Sequence, residues 1–431
     1  MTSSHPRTDG LLALPYQRPS PQCRTFTSSA IEQVITDITF RIEDPDLARL
    51  FENAFPSTTD TTVKFHTDGS NTHPQGSSPG QWQGAHSFII TGDIVAEWLR
   101  DSANQLEPYQ PLARKDPAIY ALILGAINTQ AEYVAQFPYC NAFQPPPISN
   151  LPSEAGQIDN VTPAPEPSVV FECKYELDSL AHFLSLANQF YKHTGSVDFV
   201  TERWIEALES LLSVLEEQSQ PTFDPETGQF VKNEYTFRRR TDTGTETLSL
   251  HGVGNPLRRG TGLVRSAFRP SDDATILGFL IPSNAMMAVE LERAVEFLEA
   301  SGQEPLAARV EEWSQTIRKG IWDHAVVKHR VYGDVFAYEV DGYGSSILMD
   351  DANYPSLLAL PLIGFVSIDD ETYQNTRRMV LDRDANPYYL SGRGFRGVGG
   401  KSTWRQELTQ ANKQTAFVDV LLIAPRSAHW T

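Results

Sequence analysis

Cationic side chains are the clearest deficit of this chain. Its 431 residues carry 35 Lys and Arg against 54 Asp and Glu, a formal net charge of −19. That balance argues against nucleic acid or an anionic membrane surface as a partner and suits a neutral substrate. Cysteine is scarce too. Cys23, Cys140 and Cys173 are odd in number and irregular in spacing, so they give neither a disulfide framework nor a zinc site and are expected as ordinary buried or semi-exposed thiols. No stretch approaches the ~20 apolar residues of a membrane span. Leu11–Leu14 is too short an apolar run for the core of a signal peptide, so the expected location is cytoplasmic. Asn160-Val161-Thr162 is then a glycosylation acceptor in form only. H-E-x-x-H and Cys/His metal spacing are missing, and neither a metal nor another cofactor is expected.

What is present suffices for a large core, since 40% of the residues are hydrophobic and 10% aromatic. Residues 1–27, rich in Ser, Pro and Thr, are expected as a disordered lead. Helical periodicity with start signals follows at Ser28 or Ser29, at Asp44-Pro45 and at Asp116-Pro117. Further helical patterns occupy Tyr175–His193, Asp198–Gln218, Ala285–Ala300, Glu304–Trp322, Asn353–Leu362 and Glu371–Leu381. Ser87–Ile90 and Tyr332–Val340 alternate like short strands, and no βαβ alternation appears. Helices that pair across long polar loops predict an all-α helical toroid in a single domain from 28 to 400, with its site where loops gather. Residues 401–431 form a divergent tail.

Three acidic stretches could carry chemistry. In Phe268–Asn284, Asp272 and Asp273 follow Pro270 and Ser271. Ser271 could be a helix cap with both aspartates in the first turn, a structural role only. The alternative is catalytic, because a carboxyl beside apolar walls and a like charge acquires the raised pKa that a general acid needs. In Gly92–Gln105, a single helix would bring Glu97, Arg100, Asp101 and Asn104 to one side. A solvated helix face would look the same. Yet Trp98, Arg100 and Asp101 together can grip a sugar: the carboxylate accepts, the guanidinium donates, and the indole stacks on a ring face. Asp350 and Asp351 form a third acidic pair in a loop entering a helix and are expected to bind substrate, although capping alone would also explain them. Asn386-Pro387-Tyr388-Tyr389 is an aromatic loop that could wall a cleft. Gly392–Gly397 matches G-x-G-x-x-G, and Gly400-Lys401-Ser402 the end of a P-loop. The first has no βαβ unit around it, and the second has Phe395 where the P-loop requires glycine.

The segments Thr91-Gly92-Asp93, Trp98-Leu99-Arg100-Asp101-Ser102, Lys174-Tyr175-Glu176-Leu177-Asp178-Ser179, Phe268–Asp273, Ile281-Pro282-Ser283-Asn284 and Met349–Pro355 resemble, in this order, those of glycoside hydrolase family 125. The resemblance spans about residues 24–400. It implies an (α/α)6 barrel and metal-independent hydrolysis of terminal α-1,6-linked mannose with inversion. It implies a mannose-containing glycan as partner, an aspartate of the Ser-Asp-Asp motif (Asp272 or Asp273) as general acid, and Arg100 and Asp101 as holders of the terminal mannose. Inverting hydrolysis also needs a second carboxylate, ~6.5–9.5 Å from the acid, to activate water. In the family that base is a glutamate in a His-Glu-Ser-like motif near the C-terminus. Lys401–Thr431 carries no such motif, and Glu407 is its only glutamate. The barrel is therefore expected to be incomplete at its C-terminal end and hydrolysis weak or absent. The alternative is a mannoside-binding remnant without a base.

Overall fold

The computed structural model describes residues 6–70, 81–156, 158–391 and 396–399. Lys401–Thr431, Glu407 and most of the two glycine-rich motifs lie outside them. The chain divides into two compact units interleaved in sequence, where a single domain was expected. One is made of residues 1–157, 165–173 and 182–211, the other of residues 158–164, 174–181 and 212–431.

In the first unit, local start signals set the helices. The Ser28 hydroxyl accepts from Ile31 N and opens Ser29–Arg41. Asp44 and Asp116 do the same for Pro45–Ala54 and Pro117–Gln136, each with proline in the first turn. The helix Pro117–Gln136 is the centre of this unit, burying Ile119, Leu122, Ile123 and Ile127. It lies against the strand His86–Ile89 at Gly125, where a Cβ would collide with Ser87 Oγ. Part of the expected disordered lead is ordered. Arg18 is buried, with Nε 2.7 Å from Asp60 Oδ2 and Nη2 2.6 Å from Glu32 Oε1.

The all-α expectation needs correction. Among the described residues there are six small sheets of two or three strands. In the first unit, Glu97–Trp98, Ala142–Phe143 and Val170–Glu172 form one antiparallel sheet. This sheet also corrects the cysteine expectation. Its second and third strands bring the flanking Cys140 and Cys173 together, and they form a disulfide. The two residues are 33 apart, so closing that loop is worth about 3–4 kcal/mol. Cys140→Ser should lose this much in a denaturant titration, and reductant should affect only the parent chain.

In the second unit the helices Ile281–Ala300 and Glu304–His324 pack as a hairpin, with Ser314 Oγ donating to Ala288 O at 2.7 Å. Ile281–Ala300 begins before Ser283 and Asn284, which are buried inside the helix and do not cap it. Asn284 acts as a substitute peptide group, accepting from Val264 N and donating to Val264 O, both at 2.9 Å. Asn353–Leu362 is not a helix either; only Leu360–Ile363 is helical. The strand Glu339–Val340 pairs antiparallel with both Phe279–Leu280 and Ser346–Ile347.

Candidate active site

The acidic motif of the second unit is a tight turn, and the N-cap reading of Ser271 is corrected. Asp272 N donates to Arg269 O at 2.9 Å, Arg269 N donates to Asp273 O at 2.8 Å, and Phe268 bridges Ala274. Closing the turn puts Asp272 at φ 68°, a left-handed conformation that aspartate tolerates better than most residues. The two carboxylates consequently diverge. Asp272 turns outward, its side chain 54% exposed, with Oδ1 3.2 Å from Lys174 Nζ. Asp273 keeps Oδ2 buried and without a hydrogen-bond partner.

A buried ion pair holds the turn in place. Arg269 Nε donates to Glu339 Oε1 at 2.6 Å, and Glu339 Oε2 accepts from Ile276 N and Leu277 N at 3.0 and 2.9 Å. The guanidinium also lies 5.2 Å from the centroid of the Tyr338 ring. Burial opposes the charge on Arg269, but the Glu339 carboxylate outweighs it and the pKa is raised. The segment Lys174–Asp178 buttresses the same turn. Tyr175 O accepts from Ala267 N and Phe268 N, and Leu177 N donates to Ser266 Oγ.

The acid pair Asp350 and Asp351 separates by role. Asp350 is fully buried and accepts from Leu357 N and Leu358 N at 2.8 and 3.0 Å. Burial pushes its pKa up to about 7 despite those bonds. Its oxygens serve backbone amides that precede the short helix Leu360–Ile363. Asp351 Oδ1 accepts from Asn353 N and Nδ2, whereas Oδ2 is buried and unpartnered. Burial raises its pKa too, and nearby Arg269 and Ser271 act in the opposite direction.

Five buried polar atoms thus lack partners around one turn among the described residues: Arg269 Nη2, Ser271 Oγ, Asp273 Oδ2, Tyr338 OH and Asp351 Oδ2. Buried polar atoms are normally hydrogen-bonded, so such a group marks a place prepared for a polar ligand or water. Tyr388, from the aromatic loop, feels the charges of Arg269, Asp351, Asp273 and Glu339, though burial is the main cause of its raised pKa. Sequence reasoning had no role for Tyr338 or Glu339. Their only signal was membership of a short alternating run.

In the first unit, Trp98, Arg100 and Asp101 stand at the junction of the strand Glu97–Trp98 and the helix Leu99–Leu106. Glu97 is therefore not on a helix face with Arg100, as expected, but in the strand opposite Phe143. Arg100 Nε lies 3.7 Å from Asp101 Oδ2, and both side chains are only partly exposed. Trp98 meets Phe171 edge-on, 5.5 Å between centroids.

Comparison with known proteins bears on this arrangement. Residues 44–410 match the family model for metal-independent α-mannosidases, glycoside hydrolase family 125. The chain belongs to this family. It is 53% identical over 397 residues to the meiotically up-regulated gene 157 protein of Schizosaccharomyces pombe, covering 92% of this chain and 76% of that one. It also resembles a solved metal-independent α-mannosidase of Streptococcus pneumoniae, held in a non-productive complex with α-1,6-mannobiose. That match has a TM-score of 0.74 and 31% identity, over 88% of this chain and 82% of the other. Family 125 membership makes the chain a glycoside hydrolase of α-mannosidase type. Among the described residues, no group of three or more His, Cys, Asp or Glu is arranged to hold a metal ion, and no helix is long and apolar enough to cross a membrane.

Proposed function

We propose that the chain releases terminal α-1,6-linked mannose from a mannose-containing glycan with inversion, with Asp273 as general acid. The observation that carries this reading is the set of five unpartnered buried polar atoms around the Ser271-Asp272-Asp273 turn. A general acid works from a water-poor setting with one oxygen available to the bond to be cleaved, and the buried, unpartnered Oδ2 of Asp273 supports that role. Asp272, exposed and paired with Lys174, is the weaker candidate. Asp351 and Arg269 are proposed to bind hydroxyls or water beside the acid, and Trp98, Arg100 and Asp101 to bind mannose. The (α/α)6 barrel belongs to the same proposal, supported by the likeness to the streptococcal enzyme.

A second reading rests on one observation: Lys401–Thr431 has no His-Glu-Ser-like motif. On that reading the chain binds mannosides without hydrolysing them. Incubation with α-1,2-, α-1,3- and α-1,6-linked mannobioses separates the two. Release of mannose from the α-1,6 isomer, unaffected by chelator, supports the hydrolase; saturable binding without release supports the remnant. In place of the expected cytoplasmic location we propose an oxidising compartment, because a disulfide such as Cys140–Cys173 persists there and is rare in the cytosol.

A further inference from the structure

Glu97 stands immediately before Trp98, Arg100 and Asp101, yet its side chain is completely buried. Its Oε2 accepts from Ile89 N at 3.2 Å. Its Oε1 has no partner at hydrogen-bond geometry, and neither do two polar atoms of the residues around it, Ser102 Oγ and Gln130 Oε1. Ser102 and Gln130 are also the side chains that act on its carboxyl group. The backbone beyond Glu97 is fixed at both polar groups of Leu99. Leu99 N donates to Asn141 O at 3.1 Å, and Leu99 O accepts from Gln130 Nε2 at 3.2 Å. Gln130 therefore touches both the carboxyl group and the backbone that leads to Arg100. A protonated carboxylic acid can donate where a carboxylate cannot, and it avoids the cost of an ion in an apolar pocket.

We infer that Glu97 is a positioning residue, held as a neutral carboxylic acid that pegs the Trp98–Asp101 segment to the strand His86–Ile89 and the helix Pro117–Gln136. The inference rests on the proposal that Trp98, Arg100 and Asp101 bind mannose, but its test does not. Burial pushes the Glu97 pKa up to about 8, against the opposing influence of nearby Ser102, Ile89 N and Gln130. Tyr133, from the helix, is the titratable group that faces it and is itself raised by burial and by the Glu97 charge. His86, in the strand, is held neutral by burial, at about 4. The sign follows from linkage. A folded-state pKa above the unfolded value gives stability that is complete below the ordinary glutamate pKa. That stability is lost as pH rises through about 8.

The test is hydrogen exchange of the peptide covering residues 97–106, between pH 6 and 10 and corrected for intrinsic rates, in the parent chain, Glu97→Gln and Glu97→Ala. Parent protection should fall by about tenfold per pH unit from pH 6 to about 8 and level off above 8. Glu97→Gln, neutral at every pH and of the same shape, should keep the protection and show no such fall. Glu97→Ala should be loosened throughout. The Kd for α-1,6-mannobiose should rise in parallel in the parent chain and stay level in Glu97→Gln. Equal pH dependence in the parent chain and Glu97→Gln overturns the inference, as does a Glu97→Gln peptide as loose as that of Glu97→Ala. Absence of mannobiose binding at every pH counts against the mannose-binding role of the segment and leaves the exchange result to decide the state of Glu97.

Discussion

Asp273→Asn should lower kcat for mannose release about 10²–10⁴-fold, because the amide cannot protonate the leaving oxygen. KM and the thermal midpoint should barely change, since Asp273 Oδ2 makes no hydrogen bond that the substitution would break. Asp272→Asn is the informative comparison. It removes a half-exposed pair with Lys174, so its effect on stability should be under ~1 kcal/mol. Its effect on kcat should stay within about tenfold. Initial rates on α-1,6-mannobiose with melting curves check both. The reverse order of effects would give the acid role to Asp272 and make its left-handed backbone the device that presents it.

Glu339→Ala should destabilise the chain by about 3–5 kcal/mol. It leaves the Arg269 guanidinium charged, buried and facing an unpaired hole, and it takes the acceptor from Ile276 N and Leu277 N. Glu339→Gln, which keeps an acceptor, should cost less. The double change Arg269→Met with Glu339→Leu should recover much of the loss, because apolar replacement of a buried pair restores packing without desolvating an ion. It should still lack activity, since Arg269 Nη2 is one of the unpartnered atoms beside Asp273. Urea titrations of the three variants measure the energies. If the double variant is active, the pair is only a structural tie.

The helix starts were legible because their causes are local. Ser28, Asp44 and Asp116 each accept from an amide two or three residues ahead, and two of them precede a proline. Local reasoning misled where a distant group takes over. Pro-Ser-Asp-Asp looks like a helix start, but Arg269 is fastened to Glu339, 70 residues away, and the motif becomes a turn. Ser283 and Asn284 look like caps, yet Asn284 bonds the backbone of Val264 and is drawn inside the helix. Glu97 looks like part of a polar helix face until the strand Ala142–Phe143 pairs with it. The disulfide was invisible for the same reason, since the pairing of Ala142 with Glu172 brings the cysteines together.

The acidic residues stand out in the sequence as chemically active types, but their division of labour was not readable. Asp350 and Asp351 are neighbours with opposite uses, one saturated by amides and the other with a free buried oxygen. Asp272 and Asp273 differ in the same way, one outward and one inward. In each pair the backbone geometry of a single turn decides, and adjacent letters of sequence do not encode it.

The most direct test follows the anomeric protons of mannose by NMR as the 431-residue chain acts on α-1,6-mannobiose in the presence of chelator. The account predicts that β-mannose appears first and then mutarotates, and that Asp273→Asn abolishes the signal. Binding of the disaccharide with no mannose released, or release of the α-anomer first, would contradict it.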